Sequence, residues 1–502
     1  MNAVLPIPSK ERFFRTDHLD SGLKSRAMRG GALSIGIQTC KITLNLVSIS
    51  VLGRILTPED YGLVAMVAVC TTFLGVITEG GLQAATVQRE HLTHGHASSL
   101  FWINVLLGSA AAIFMAAISP VLAWFFKDTR VLSIGLVLSI SFPMTALGVQ
   151  HDAILRRQLR FVTANCIDLV SRAFGLGIGI LAAVGGWRYW SLVVAQLSTA
   201  AICTCVLWCV CHWRPSRPGN GKDISSLIAY SSFLSGFRLV YILARSLDTF
   251  LIGRYIGSVA LGYYSRASTI VLFPIDQIMT PISAVSLPIL CRLAGTPERF
   301  RSVFLRIYEL IGAVTLPAAA YLFGASGWLV GLLLGSKWQG LIPVMKWLAP
   351  VTVFAGAAGA ASWVFTAFGN TKPLFLWSVV NAALILLAIG IGVHWGVCGV
   401  AAGFAVSGLL LRAPLLFYWA SRNSPVRHID FYRPMWPHAI CAVVVLLSTA
   451  ALSHALPGAT PLVGLIVSAV VSGTLYIVCL VLLPPGRRFL SQIRDLAATL
   501  TQ

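Results

Sequence analysis

Residues 53–62 read GRILTPEDYG, and residues 253–262 read GRYIGSVALG. Gly53-Arg54 and Gly62 recur as Gly253-Arg254 and Gly262, 200 residues later. The same offset holds upstream. Ser34, Gln38, Lys41, Asn45 and Ser48 are spaced 4, 3, 4 and 3, which places them on one face of a helix. Arg238, Tyr241, Arg245 and Asp248 repeat the last four positions, while Leu234 stands opposite Ser34. A fainter match, YWSLV at 189–193 against VCGVA at 397–401, lies at an offset of 208 residues. Self-similarity at one long offset marks an internally duplicated fold.

Around both copies the chain is apolar. Of its 502 residues, 57% are hydrophobic and 11% charged, against roughly 25% charged in an ordinary soluble domain. Mean hydropathy is +0.81. A globule in water needs polar cover, so a soluble class is excluded. Disordered, collagen-like and disulfide-rich secreted chains are excluded by the same composition. The 11 cysteines lie almost all inside apolar runs, as at Cys40, Cys70, Cys166 and Cys398, and read as small buried hydrophobes. What remains is an all-α polytopic membrane protein. At about 20 residues per crossing, spans fall at 29–52, 62–85, 99–123, 131–150, 162–185, 189–211, 225–251, 261–290, 304–324, 341–368, 374–394, 397–419, 436–456 and 460–483, fourteen in all. Residues 325–338 are placed at the membrane interface.

Charge sets the orientation. The chain carries 37 Lys+Arg against 17 Asp+Glu, a net +20. With the N-terminus in the cytoplasm, 24 of the basic residues fall in cytoplasmic segments, six in outer loops and seven inside spans, as the positive-inside rule asks. Both termini are therefore placed in the cytoplasm. In a soluble chain such an excess would point to nucleic acid; here the loops and an anion-accepting cavity account for it, and no nucleic-acid partner is expected. The expected order is a cytoplasmic tail (1–28), an N-lobe of helices 1–6 (29–211), a cytoplasmic linker (212–224), a C-lobe of helices 7–12 (225–420), a cytoplasmic loop (421–435), helices 13 and 14 (436–483) and a cytoplasmic tail (484–502). Six spans per copy is an even number, so the two lobes share one orientation. Transporters built from such parallel repeats hold their cargo between the lobes and rock around it.

The same residues carry a family resemblance. LGRILTPEDYGLVAM (52–66), GLQAATVQRE (81–90), LFWINVLLG (100–108), VQHDAILRRQLRF (149–161) and RSLDTFLIGRYIGSVALGYYSRA (245–267) resemble the polysaccharide transporters of the MOP (multidrug/oligosaccharidyl-lipid/polysaccharide) exporter superfamily, the Wzx-like lipopolysaccharide and exopolysaccharide flippases. The likeness runs over most of residues 27–420 and is most specific at LTPEDYG and LIGR…LGYYSRA. Ser246 and Thr249 stand where that family more often has Asn beside the Leu-Asp pair. The resemblance implies a bacterial inner-membrane protein of fourteen helices. Such a protein moves an oligosaccharide linked to undecaprenyl diphosphate from the cytoplasmic to the periplasmic leaflet, for O-antigen or exopolysaccharide synthesis. Its implied partners are that lipid-linked oligosaccharide, the membrane lipids and a polysaccharide polymerase or export complex.

A diphosphate head group needs cations inside the spans. An ionised side chain at the bilayer centre costs roughly 2.5–3.5 kcal/mol on insertion scales, so it faces a cavity or a partner. Arg suits phosphate because its planar fork donates two hydrogen bonds. The substrate-binding candidates are Lys41, Arg238 and Arg245, with Gln38, Asn45, Tyr241 and Asp248 on the same helix faces. Arg245 also sits three residues before Asp248, so a local ion pair is compatible with either role. Lys41 and Arg238 have no acid within one helical turn. Arg172 pairs with Asp168 at i−4 and reads as a satisfied local pair. Arg54 and Arg254 read as turn residues, and Arg412 and Lys346 have weaker claims. Glu79, Asp276 and Arg266 are the gating or ion-coupling candidates. Asn104, Asn165 and Asn381 read first as interhelical hydrogen-bond groups.

Cys203, Cys205, Cys209, Cys211 and His212 match no zinc spacing, and His91, His94 and His96 read as a solvated loop. The chain has no phosphate-binding P-loop, zinc-protease helix or nucleophile elbow. No metal, cofactor or catalytic residue is expected, and the chain is not read as an enzyme. Three other functions stay open. A drug/cation antiporter of the same superfamily needs an anionic cavity. A membrane polysaccharide polymerase or ligase needs a substantial outer loop. A scaffold in an envelope complex would tolerate loss of the cavity charges.

Overall fold

Thr57, Pro58 and Asp60 make the first reversal of the chain. In the computed structural model, which describes residues 23–88, 92–217, 246–422, 424–456 and 458–500, they separate α1 (Leu23–Ile55) from α2 (Pro58–Gln88). Pro58 opens α2 where a missing N–H costs nothing. The Asp60 carboxylate accepts from the Thr57 N–H (2.9 Å) and hydroxyl (2.7 Å), so the first turn is capped. Helices α3 (His94–Phe126), α4 (Arg130–Ser139), α5 (Ser141–Arg157), α6 (Phe161–Val184) and α7 (Trp190–Val210) follow. Helices α4 and α5 form one crossing interrupted at Ile140. Pro143 has no N–H to offer the Ser139 carbonyl, and the ladder breaks there.

The chain divides into two compact units, residues 1–246 and 247–502. In the first unit, polar contacts show which connections share an end. At one end Glu59 meets Arg130 (2.7 Å) and Arg188 (3.6 Å), and Arg130 also holds Asp128 (2.8 Å). That guanidinium keeps the Asp128 carboxyl below the usual carboxylate range. At the opposite end the Gln83 amide and the Arg156 guanidinium both donate to Asp152 (2.5 and 2.6 Å). There Thr86 donates to Gln150 (2.9 Å), and the Trp213 indole donates to His94 (3.0 Å). The helical passes α1, α2, α3, α4–α5, α6 and α7 alternate between these ends.

Helices α6 and α7 touch backbone to backbone. A methyl placed on Gly175 would lie 2.8 Å from the Ala195 carbonyl oxygen, and one on Gly179 would lie 2.7 Å from the Ala195 methyl. Lipid tails are as apolar as leucine, so helices in a membrane associate through such close small-residue packing.

The second unit begins with α8 (Leu247–Tyr255), α9 (Ser258–Leu293), α10 (Pro297–Gly324) and the short α11 (Ser326–Leu333). Next come α12 (Leu341–Leu348), α13 (Val351–Ala367), α14 (Thr371–Gly392) and α15 (Gly396–Val406). A π-helical segment, Ser407–Arg412, leads into α16 (Ala413–Arg422). Helices α17 (Trp436–Ala455), α18 (Pro461–Leu482) and α19 (Pro484–Leu500) end the chain.

The duplication read at 53–62 and 253–262 extends through this unit. Gly257, at φ +109°, makes the α8–α9 reversal where Thr57 makes the α1–α2 one. The α12–α13 crossing breaks at Ala349-Pro350, as α4–α5 breaks at Ile140. The α14–α15 hairpin closes on glycine: a methyl on Gly403 would lie 2.6 Å from the Ala388 carbonyl oxygen.

Helices α17 and α18 pack on α10. The Tyr321 hydroxyl donates to the Leu465 carbonyl (2.9 Å) and the Tyr476 hydroxyl to that of Ala313 (3.0 Å). Residues 421–435, expected as a loop, carry a short 3₁₀ turn, His428–Phe431. Arg301 clasps Asp430 through two 2.6 Å bonds, and the Phe431 ring stacks on Phe417 at 4.4 Å. The segment expected as a tail, 484–502, contains α19, whose Phe489 is buried against His438. Residues 325–338 form α11 and a 3₁₀ turn, with Val330 and Trp338 buried.

Eleven stretches among the described residues are long and apolar enough to cross a membrane, and one of them, Lys372–Arg422, holds the whole α14–α16 hairpin. Large apolar side chains such as Leu106, Ile113, Leu181, Leu387 and Leu482 lie exposed on the helix faces, an arrangement stable in lipid and not in water. The chain is an all-α, multi-pass membrane protein.

Candidate functional site

Two helices of the first unit carry matching polar stripes. On α1 the stripe is Gln38, Lys41 and Asn45; on α6 it is Asn165, Asp168 and Arg172, with the same spacing of three and four residues. The stripes meet. Lys41 Nζ lies 2.7 Å from Asp168 Oδ2 and donates to Asn165 Oδ1 at 3.4 Å. Arg172 Nε donates to Asp168 Oδ1 at 2.8 Å. One carboxylate thus bridges two cations, leaving one positive charge in excess. The Arg172 pair is the one read from sequence. The Lys41 pair lies beyond the reach of a single-helix reading, because its acid is 127 residues further along.

The cluster is open on one side. The side chains of Lys41, Asp168 and Arg172 are 21%, 31% and 60% exposed. Arg172 stands near the midpoint of α6. A guanidinium at that depth cannot sit bare against hydrocarbon, so its open side faces water or a polar partner. Gln38 is exposed and Asn45 half-buried on the same stripe of α1.

The second unit differs. Asp248 opens α8, where its Oδ1 accepts from the Thr249 N–H (2.6 Å). Its Oδ2 accepts from the buried Tyr264 hydroxyl on α9 (2.8 Å). Asp248 therefore ties α8 to α9. Arg238, Tyr241 and Arg245 lie outside the described residues, as does the side chain of Glu79. Arg266 is half-buried and Asp276 exposed, ten residues apart along α9.

Arg412, with the weaker claim from sequence, is enclosed. It is 1% exposed, at the end of the π-helical segment. Its guanidinium lies 4.7 Å from the Phe354 ring centre and 4.4 Å from that of Phe404. It donates to the Phe404 carbonyl (2.6 Å) and to Asn381 Oδ1 (3.5 Å). Two aromatic faces and two oxygens take the place of a counter-ion. The available signal was Gly408, four residues earlier: a methyl there would lie 2.9 Å from the guanidinium.

The segments that carry the family resemblance prove to be structural clasps. GLQAATVQRE and VQHDAILRRQLRF hold each other through Gln83–Asp152, Thr86–Gln150 and the Arg157 bond to the Thr86 carbonyl (3.2 Å). In LTPEDYG, Thr57 and Asp60 cap α2 while Glu59 gathers the neighbouring arginines. His96 closes a cap with Thr93 at the start of α3.

Comparison with known proteins places this geometry. A family model described as polysaccharide biosynthesis protein matches residues 51–343. The teichuronic acid biosynthesis protein TuaB of Bacillus subtilis (strain 168) is 25% identical over 435 residues, spanning 85% of this chain and 90% of that protein. The lipopolysaccharide biosynthesis protein WzxC of Escherichia coli (strain K12) is 23% identical over 390 residues, spanning 76% and 78%. Among solved structures, the lipid II flippase MurJ in an inward closed conformation superposes with a TM-score of 0.71 at 14% identity, covering 89% of this chain and 97% of that one. At that identity the likeness is one of fold.

Proposed function

The chain belongs to the polysaccharide biosynthesis protein family, and from that premise we propose that it is a flippase of the MOP exporter superfamily for a lipid-linked oligosaccharide. Its cargo is a glycan on undecaprenyl diphosphate, carried across the bacterial inner membrane for O-antigen or exopolysaccharide synthesis. Both termini lie in the cytoplasm, in keeping with the 24-to-6 division of basic residues. The protein moves its cargo without breaking a bond, by alternating access.

The open Lys41–Asp168–Arg172 cluster supports this reading most directly. An anionic head group leaving water needs fixed donors to replace its hydration. Two cations that share one carboxylate supply them, and the Arg172 fork can bind phosphate oxygens bidentately. Arg238 and Arg245 are proposed as further cations for the head group. Gln38, Asn45, Tyr241 and Asp248 are the remaining groups proposed to bind the head group by hydrogen bonds. Glu79, Asp276 and Arg266 are the groups proposed for gating or ion coupling. The lipid tail stays in the bilayer, and a polymerase or export complex takes the product. Cargo drives the rocking only if it binds one state more tightly than the other.

A drug/cation antiporter is disfavoured because cations outnumber the acid in the cluster. A polymerase or ligase is disfavoured in the first unit, whose connections at the Glu59 end, residues 56–57, 127–129 and 185–189, are too short to carry a catalytic loop. The test is a deletion strain of the native host. Loss of the protein should leave lipid-linked oligosaccharide accumulating on the cytoplasmic leaflet. Wild-type protein should clear it, and a stably inserted Lys41→Ala variant should not. No accumulation on deletion would overturn the reading.

A further inference from the structure

We propose that Asp168 is an internal counter-anion, a stand-in for the cargo's diphosphate, which the cargo displaces from Lys41 and Arg172. The inference rests on the function proposed above and adds a residue that sets cargo affinity and turnover. Asp168 is the one carboxylate that either cation of the cluster contacts among the described residues. Its two oxygens are divided between them: Oδ2 takes Lys41 at 2.7 Å and Oδ1 takes Arg172 at 2.8 Å. The three groups come from two helices, α1 and α6. The bridge therefore depends on the packing of those helices and is not a simple turn-to-turn pair.

The geometry is that of a filled anion site. Two cationic donors converge on two oxygens of one anion, as they would on two oxygens of a phosphoryl group. The site is also reachable, because all three side chains are partly exposed and Arg172 is mostly so. A sealed ion pair cannot exchange its anion; this one can. Asn165, 3.4 Å from Lys41 Nζ, gives the lysine a neutral acceptor to hold while the carboxylate is away.

Two consequences follow from this exchange. In the empty carrier each cation keeps one oxygen of Asp168 and the net charge inside the span falls from two to one, which lowers the penalty of bare charge in the membrane. In the loaded carrier a diphosphate, with more charge than a carboxylate, takes over both cations. Release on the far side is helped by Asp168 returning to its partners. The apparent affinity for cargo is lowered by the fraction of time the cations are free. Asp168 thus weakens binding and speeds release.

The experiment uses the purified full-length protein in nanodiscs and titrates inorganic pyrophosphate as the probe. Asp168→Asn keeps the side chain's shape and removes its charge. Its pyrophosphate affinity should rise about tenfold or more over wild type, and Lys41→Ala added to it should cancel the gain. Asp168→Glu should stay near wild type. Leaflet transfer of the native lipid-linked oligosaccharide should be slower in Asp168→Asn despite the tighter binding. A residue that merely positions α6 would lose affinity when replaced, so a gain separates the two roles. Unchanged or weaker binding by Asp168→Asn, with Lys41→Ala still weakening it, would overturn the counter-anion and leave the flippase reading intact. No dependence on Lys41, Arg172 or Asp168 would overturn both the counter-anion and the placing of cargo on this face.

Discussion

The first unit holds its intramembrane cations with a carboxylate and leaves them half-open, whereas the second holds Arg412 between two phenylalanine rings and seals it. Lys41 and Arg172 can exchange Asp168 for another anion. Among the described residues Arg412 contacts no carboxylate, and it is 1% exposed. Both solutions satisfy a charge inside a membrane. The open one suits a site that must bind and release; the closed one suits a site that must not change. The repeat makes the contrast sharper, because the surrounding framework is shared. The reversal at residue 57 uses a Thr–Asp cap, and its counterpart at residue 257 uses a glycine at φ +109°. The two reversals recur at a 200-residue offset with different capping chemistry.

The largest expected effect concerns that shared framework. Gly175→Leu in the first unit and Gly403→Leu in the second should each cost about 3 kcal/mol by forcing apart a backbone-close seam, read as loss of a monodisperse, cooperatively melting protein in detergent. A tolerated change in one unit alone would show that the two seams are not equivalent. Next comes Arg412. Its replacement by Ala should cost about 2–3 kcal/mol through the cavity left between Phe354 and Phe404, while Arg412→Met should stay within about 1 kcal/mol of wild type, because no carboxylate is stranded. Equal damage by Ala and Met in thermal melts would mean that the charge itself, and not the filled volume, is what the sealed site requires. Arg172→Gln should change stability by less than about 1 kcal/mol, given its exposure, yet slow leaflet transfer. That split between melting and transport sets the open cluster apart from the sealed one.

The smallest effect is electrostatic and lies at the Glu59 end. Asp128 is held below the usual carboxylate range by Arg130. A depressed folded-state pKa contributes stability that is present above the unfolded-state value of about 4 and is lost as pH falls through the folded-state value. The melting difference between wild type and Asp128→Asn should therefore be present at pH 7 and shrink below about pH 4. A difference that grew on acidification would assign the interaction the wrong sign.

Much of the fold was legible because its signals are local. Apolar runs give crossings, and the 200-residue offset of Gly53-Arg54 and Gly253-Arg254 gives the duplication. The breaks at Ile140 and Pro350 were legible in principle, since Pro143 and Pro350 remove helix donors, but apolarity alone reads straight through them. The Thr57-Pro58-Glu59-Asp60 cap was written in the sequence as a capping box and read instead as a family signature. Pro484-Pro485 likewise announce α19, a helix within the segment expected as a tail. The site was half legible. Periodicity put Lys41 on the polar face of α1, and the i+4 rule found Asp168–Arg172. That the two belong to one cluster depends on how α1 packs against α6, and no local pattern carries that. The aromatic enclosure of Arg412 is tertiary for the same reason: Phe354 and Asn381 lie on two other helices.

The most direct measurement is leaflet transfer of the native lipid-linked oligosaccharide by the purified protein in liposomes, wild type against Lys41→Ala. Transfer by wild type and its loss in a folded Lys41→Ala variant is the predicted result, placing the open cationic face of the first unit in the path of the cargo. Equal transfer by both proteins would contradict that placement, and no transfer by wild type under an imposed ion gradient would contradict the flippase itself.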